Sequence, residues 1–150
     1  MKKILYLVGQ NFSQYFFAKS IQDKIDVESY AIFDVTNKPR NFFQNQKIVN
    51  FKKIWFFHDF INDVKSMPDL NYLADFEKKY QIQLSKLVFS ERMFTDFNEF
   101  YKFSTEEILR ILELESRNFC SILEEIKPDF IIMTTPYFQY QVLFLKLCKS

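Results

Sequence analysis

Short apolar runs alternate with helix-like segments along this chain. Four runs have the Ile, Val, Leu, Phe and Tyr content that is typical of buried strands. They cover residues 3–8, 27–35, 53–58 and 129–135. Helical patterns follow three of them, and the segment 36–46 ("TNKPRNFFQNQ") is predicted to be a loop. Strands alternating with helices predict an α/β fold: a Rossmann-like parallel sheet of about four or more strands flanked by helices.

The clearest helix is predicted for residues 104–127. Ser104 and Glu107 have the spacing of a capping box, and Lys127-Pro128 ends the segment. This helix belongs to a long helical crossover between strands three and four, which we expect to contain two or three helices. We expect residues 1–150 to form a single Rossmann-like domain.

Composition and charge give no sign of a disulfide framework, a membrane span or a metal site. The chain has 20 Phe residues and 1 Gly, a net charge of +1 and 2 Cys. The cysteines fall in helical patterns, which indicates reduced thiols and a cytoplasmic protein. No apolar run is long enough to span a membrane, and nothing in the sequence indicates a metal site or a cofactor.

Gly9, the only glycine, follows the first predicted strand. A dinucleotide-binding fingerprint needs further glycines, so this loop is expected to be a turn with no phosphate cradle. Asn11 and Gln14 have the spacing of a capping box for the next helix.

Ligands of such sheets bind outside the carboxyl ends of the strands. This rule selects four loops: 9–11, 34–36, 58–59 and 134–137. The predicted ligand-binding residues within them are Gly9, Gln10, Asn11, Thr135 and Tyr137.

The catalytic candidates are His58, Asp59 and Glu115. His58 is the only histidine and Asp59 follows it, although neighbouring strand residues point to opposite faces. Glu115 lies within the apolar stripe of the helix at 104–127, where a carboxylate is either a satisfied structural group or a functional acid.

A basic stretch lies between Asp34 and Asp59. It contains Lys38, Arg40, Lys47, Lys52 and Lys53 and no acidic residue. It is either a solvated loop or a surface for phosphate, anionic lipid or nucleic acid.

Residues 89–136 ("FSERMFTDFNEFYKFSTEEILRILELESRNFCSILEEIKPDFIIMTTP") resemble the N-terminal domain of capsule and surface polysaccharide biosynthesis proteins. These are glycosyltransferases of the two-Rossmann-domain (GT-B) type, and residues 2–21 are similar to their first strand and helix. The resemblance implies that this chain is the acceptor-side half of a longer protein. A C-terminal domain outside this chain would bind the nucleotide-sugar donor, so the isolated chain is expected to be inactive.

The same resemblance adds Arg92 to the ligand-binding candidates and implies a sugar or lipid-linked acceptor. It also implies peripheral contact with the inner membrane face. Self-association through an unfinished sheet edge is a further expectation.

Two alternatives stay open beside the acceptor-side domain. One is a stand-alone α/β ligand-binding or regulatory module, which the lack of a catalytic signature favours. The other is an anionic-surface or nucleic-acid binder that uses residues 38–53.

Overall fold

The computed structural model describes residues 1–9, 11–35, 37–95, 99 and 101–150, without the side chains of Asn37, Lys38 and Thr95. The predictions for Gln10 and Thr36, and for the side chain of Lys38, therefore lie outside the described residues. The chain divides into two compact units. The first comprises Met1–Phe60 and Leu123–Thr135, and the second comprises Ile61–Ile122 and Pro136–Ser150.

The first unit contains a parallel sheet of 4 strands in the order β3-β2-β1-β4. The strands are β1 (Lys2–Val8), β2 (Val27–Phe33), β3 (Phe51–Phe56) and β4 (Phe130–Ile132). Its helices are α1 (Ser13–Gln22), α2 (Asn37–Asn45) and a 3-10 helix at Phe57–Asp59. The prediction of an α/β fold with a Rossmann-like parallel sheet is confirmed.

The second unit is helical in its described part. It contains α3 (Leu70–Tyr80), α4 (Leu84–Ser90), α5 (Arg92–Thr95), most of α6 (Thr105–Ile126) and α7 (Gln139–Lys149). The described connection from β3 to β4 thus holds four α-helices, where two or three were predicted. None of the described helices is long and apolar enough to cross a membrane.

The capping box of α6 is confirmed. The Glu107 amide donates to Ser104 Oγ at 3.2 Å, and the Ser104 amide donates to Glu107 Oε2 at 2.9 Å. Lys127 ends this helix in the left-handed region with a φ of 49°.

The predicted loop at 36–46 is wrong, because residues 37–45 form α2. Pro39 stands in the first turn of this helix, where its missing N–H does no harm. The adjacent residues Phe42 and Phe43 determine how α2 packs: Phe43 is buried against the Phe33 ring of β2, whereas Phe42 is exposed. Burial of one aromatic face stabilises a helix whose polar sequence resembles a loop.

The predicted capping box of Asn11 and Gln14 is also wrong. The N-cap of α1 is Phe12, which has a φ of 55° and makes no side-chain cap. Asn11 Oδ1 instead accepts from Ser13 Oγ at 3.1 Å, and Gln14 is buried within the first turn. Helix α1 therefore begins one residue later than the capping pattern predicts.

Aromatic rings form the core of the first unit. Phe33 and Phe43 stack with ring centroids 4.2 Å apart, and Tyr15 of α1 meets Phe43 edge-on at 5.2 Å. Such pairs add specific geometry to the burial of apolar area. This aromatic cluster fixes α1 and α2 against the sheet and so positions the loops at its carboxyl edge.

Buried glutamates organise the second unit. Glu113 of α6 accepts from Arg110 at 2.9 Å, from Arg117 at 2.8 Å and from the Asp69 amide at 2.9 Å. This carboxylate therefore joins the start of α3 to α6. The apolar residues Leu112, Phe119, Leu143 and Phe144 are fully buried on α6 and α7.

Candidate functional site

The strand order places a topological switch point between β1 and β4. The chain moves from β1 through β2 to β3 on one side, and then returns to pair β4 with the other side of β1. In open parallel sheets, the crevice outside the carboxyl ends of two such strands is where ligands bind. Here residues 9, 11–13 and 133–135 follow β1 and β4 at that edge within the first unit, and we call this edge the switch-point crevice.

Gly9 lies at the start of this crevice, and nothing in the described part of the chain requires a glycine there. Its φ is not positive, and a Cβ added to it would meet no described atom within 4 Å. Backbone conformation and internal packing would thus both accept a side chain. The effect of the glycine is to leave bare backbone and open space beside the crevice.

Gln14 provides an unpaired polar atom next to the same loop. It lies in the first turn of α1, is only 5% exposed, and its Oε1 has no hydrogen-bond partner among the described residues. Buried polar atoms are nearly always hydrogen-bonded, so this carboxamide oxygen lacks the donor that its burial calls for. A hydroxyl group is a donor of the right kind.

His58 pairs with Asp34 and not with the adjacent Asp59. His58 Nε2 lies 3.2 Å from Asp34 Oδ1; Asp34 is buried and His58 is half-exposed. The register explains this contact, because β2 and β3 pair Phe33 with Phe56. Asp34 follows Phe33 directly, and His58 follows Phe56 after one intervening residue, at the same edge of the sheet. A carboxylate that holds Nε2–H leaves Nδ1 as the nitrogen that accepts a proton.

Asp59 has a different partner. Arg40 of α2 donates to both of its carboxylate oxygens, at 2.6 and 2.8 Å, and the guanidinium lies 4.3 Å from the centre of the Phe56 ring. The hydrogen bond from Arg40 holds the pKa of Asp59 below its usual range. Asp59 is therefore committed to this ion pair and does not orient His58.

Comparisons with known proteins do not assign this site. No family model, curated protein or solved structure matches the chain. The likeness of residues 89–136 to polysaccharide biosynthesis proteins stays a prediction, and the function has to be argued from the side chains.

The structure places the predicted ligand-binding residues in two different units. Gly9, Asn11 and Thr135 belong to the first unit and border the switch-point crevice, with Asn11 and Thr135 exposed. Tyr137 and Arg92 are exposed in the second unit. The positional rule thus groups three residues at one edge of the sheet.

Glu115 lies in the second unit and is 2% exposed. Its Oε2 accepts from Gln139 Nε2 at 2.6 Å, and the Gln139 amide donates to Glu91 at 2.8 Å. Burial raises the pKa of Glu115 to about 8, and the nearby Glu91 charge adds to the shift. Glu115 is therefore largely protonated at neutral pH and helps to fix the start of α7.

The basic stretch is partly neutralised. Arg40 is paired with Asp59, and Lys53 Nζ lies 2.7 Å from Glu125. Lys47 and Lys52 are exposed. Lys47 lies before the amino end of β3, whereas Arg40 bonds to Asp59 beyond the carboxyl end of β3. The segment therefore does not present all its charges on one surface.

Sequence reasoning missed Asp34 as the partner of His58 and missed the unpaired oxygen of Gln14. The available signal for Asp34 was its position directly after a strand that neighbours the His58 strand. No pattern in the sequence indicated the burial of Gln14.

Proposed function

We propose that this chain holds the acceptor sugar in a two-domain glycosyltransferase of surface or capsular polysaccharide biosynthesis. The observation that carries the proposal is the His58–Asp34 pair at the carboxyl edge of a parallel sheet. The resemblance of residues 89–136 supplies the reaction class. The nucleotide-sugar donor is held by a second domain outside this chain.

The crevice suits a ligand rich in hydroxyl groups. Gln14 has a carboxamide oxygen without a partner among the described residues, and Gly9 allows close approach to the backbone. Asp34 lies between this loop and His58. Its backbone amide donates to the carbonyl of Val8, the residue before Gly9, at 2.9 Å, and its side chain pairs with His58. An oligosaccharide lying along this edge would contact both the crevice and His58.

Glycosyl transfer to an acceptor hydroxyl needs a base. In the proposed step, the acceptor oxygen forms a bond to the anomeric carbon of the donor and gives its proton to His58 Nδ1. The anomeric C–O bond to the nucleotide diphosphate breaks, and its electron pair leaves with the diphosphate. Asp34 stabilises the imidazolium that results, the usual role of a carboxylate behind a histidine.

Binding measurements test the acceptor role. We expect simple glycosides to bind the isolated chain in calorimetric titrations, and UDP- or GDP-sugars not to bind. Gly9→Ala should weaken glycoside binding while leaving stability unchanged or raising it by about 0.4–1 kcal/mol, because Ala loses less chain entropy on folding. Tight binding of a nucleotide sugar at this edge would contradict the acceptor role.

The role of His58 needs the donor domain as well. In a protein that carries both domains, His58→Gln should lower kcat by about 10²–10⁴-fold with little change in glycoside binding, because the base acts in the chemical step. Asp34→Asn should give a smaller loss of kcat and shift its pH profile. If His58→Gln kept the kcat of the wild type, His58 would not be the base. Binding of glycosides without transfer would favour the stand-alone binding module.

A further inference from the structure

A shallow groove on the second unit is lined by α4, α7 and the turn between α3 and α4. Its volume is about 370 Å³, and an adjoining hollow of about 230 Å³ shares Lys146 and adds Lys149. The groove itself is lined by Glu77, Gln81, Ile82, Gln83, Lys86 and Lys146. We call this surface the lysine groove.

Lysines outnumber acidic residues around the lysine groove. α4 and α7 pack against each other and carry Lys86, Lys146 and Lys149 without any acidic residue. These three lysines make no ion pair within the described part of the chain. The lining acid, Glu77, accepts from the Leu84 amide at 2.6 Å.

Helix electrostatics do not explain Lys86. Lys146 and Lys149 lie in the last turn of α7, where a positive charge interacts favourably with the helix dipole. Lys86 is the third residue of α4, near the positive end of that helix, where a cation is unfavourable. Its position across the groove from Lys146 therefore fits a negatively charged partner better than a role in helix stability.

An exposed aromatic ring lies on the same helix as Lys86. Phe89 follows Lys86 by one helical turn on α4 and is 80% exposed, and Met93 of the next helix is also exposed. Lysines next to protruding apolar side chains are typical of surfaces that bind anionic bilayers. There the ammonium groups meet the phosphates and the ring enters the acyl boundary.

We propose that the lysine groove docks the protein on an anionic lipid bilayer. This inference does not depend on the glycosyltransferase proposal, and it locates the membrane contact on a surface other than residues 38–53. Each lysine near such a surface strengthens binding roughly fivefold, so three lysines together give roughly a hundredfold.

Vesicle co-sedimentation tests the proposal. We expect the protein to bind phosphatidylcholine vesicles that contain phosphatidylglycerol, to release them as salt is raised, and not to bind pure phosphatidylcholine. The variant Lys86→Ala/Lys146→Ala/Lys149→Ala should lose roughly a hundredfold in affinity. Phe89→Ser should weaken binding several-fold at the same net charge.

The matched control is Lys24→Ala/Lys47→Ala/Lys52→Ala in the first unit, which changes net charge equally and should bind like wild type. A loss in this control as large as in the groove variant would overturn the proposal, since net charge alone would then explain binding. Equal binding to both kinds of vesicle would overturn it too. So would preferential binding of inorganic phosphate or single-stranded RNA that the groove variant abolishes.

Discussion

At the scale of single residues, two glutamates of α6 respond to burial in opposite ways. Burial would raise the pKa of both. At Glu113, hydrogen bonds from the Asp69 amide and from Arg117 and Arg110 outweigh burial, and the pKa is lowered. At Glu115 burial wins, because among the described residues only the Gln139 side-chain amide donates to the carboxyl, which also faces the charge of Glu91.

This contrast predicts opposite effects of the same substitution. The folded-state pKa of Glu115 is about 8, against 4.5 for the free side chain. The stability that this carboxyl contributes is therefore fully present below pH 4.5 and is lost as the pH rises to about 8. Glu115→Gln should remove this loss and raise the free energy of unfolding at the alkaline end by up to roughly 5 kcal/mol.

Glu113→Gln is the control on the same helix. Its lowered pKa means that the stabilisation is present above the ordinary value of 4.5 and lost as pH falls. The variant should therefore lose stability at neutral pH, near the lower end of the roughly 3–5 kcal/mol typical of a broken buried pair. Urea unfolding across the pH range measures both, and equal pH profiles for wild type and Glu115→Gln would contradict the assignment.

At the scale of elements, α2 shows what an aromatic pair contributes. Phe43 is 2% exposed and stacks on Phe33, whereas its neighbour Phe42 is 51% exposed. Phe43→Ala should lower the free energy of unfolding by about 3–5 kcal/mol, because it leaves a cavity in the aromatic cluster. Phe42→Ala makes the same change at the preceding position of the helix, and it should lower the free energy of unfolding by about 1 kcal/mol or less. Similar losses in urea unfolding would show that α2 does not pack as described.

The strands and α6 could be predicted because apolar runs and a capping box are local signals. α2 could not, because its stabilisation comes from the contact of Phe43 with a strand that ends several residues earlier. The Asp34–His58 pair depends on the register of β2 and β3, which no short stretch of sequence encodes. The positional rule for parallel sheets selected the loops of both Asp34 and His58, but it does not say which side chains in those loops pair.

At the scale of the whole molecule, each of the two units contributes a separate property. The first carries the switch-point crevice and the His58–Asp34 pair, and the second carries the buried glutamates and the lysine groove. On this account, acceptor binding and membrane docking respond to different variants. Gly9→Ala should affect the first property alone, and the Lys86/Lys146/Lys149 variant the second alone.

The most direct test of the acceptor role is an amide NMR titration of the isolated chain with simple glycosides. The account predicts that the shifted resonances cluster at residues 9–14, Asp34, His58 and 133–135, and that UDP- and GDP-sugars leave these resonances unchanged. Shifts caused by nucleotide sugars at this edge, or glycoside shifts confined to other residues, would contradict it.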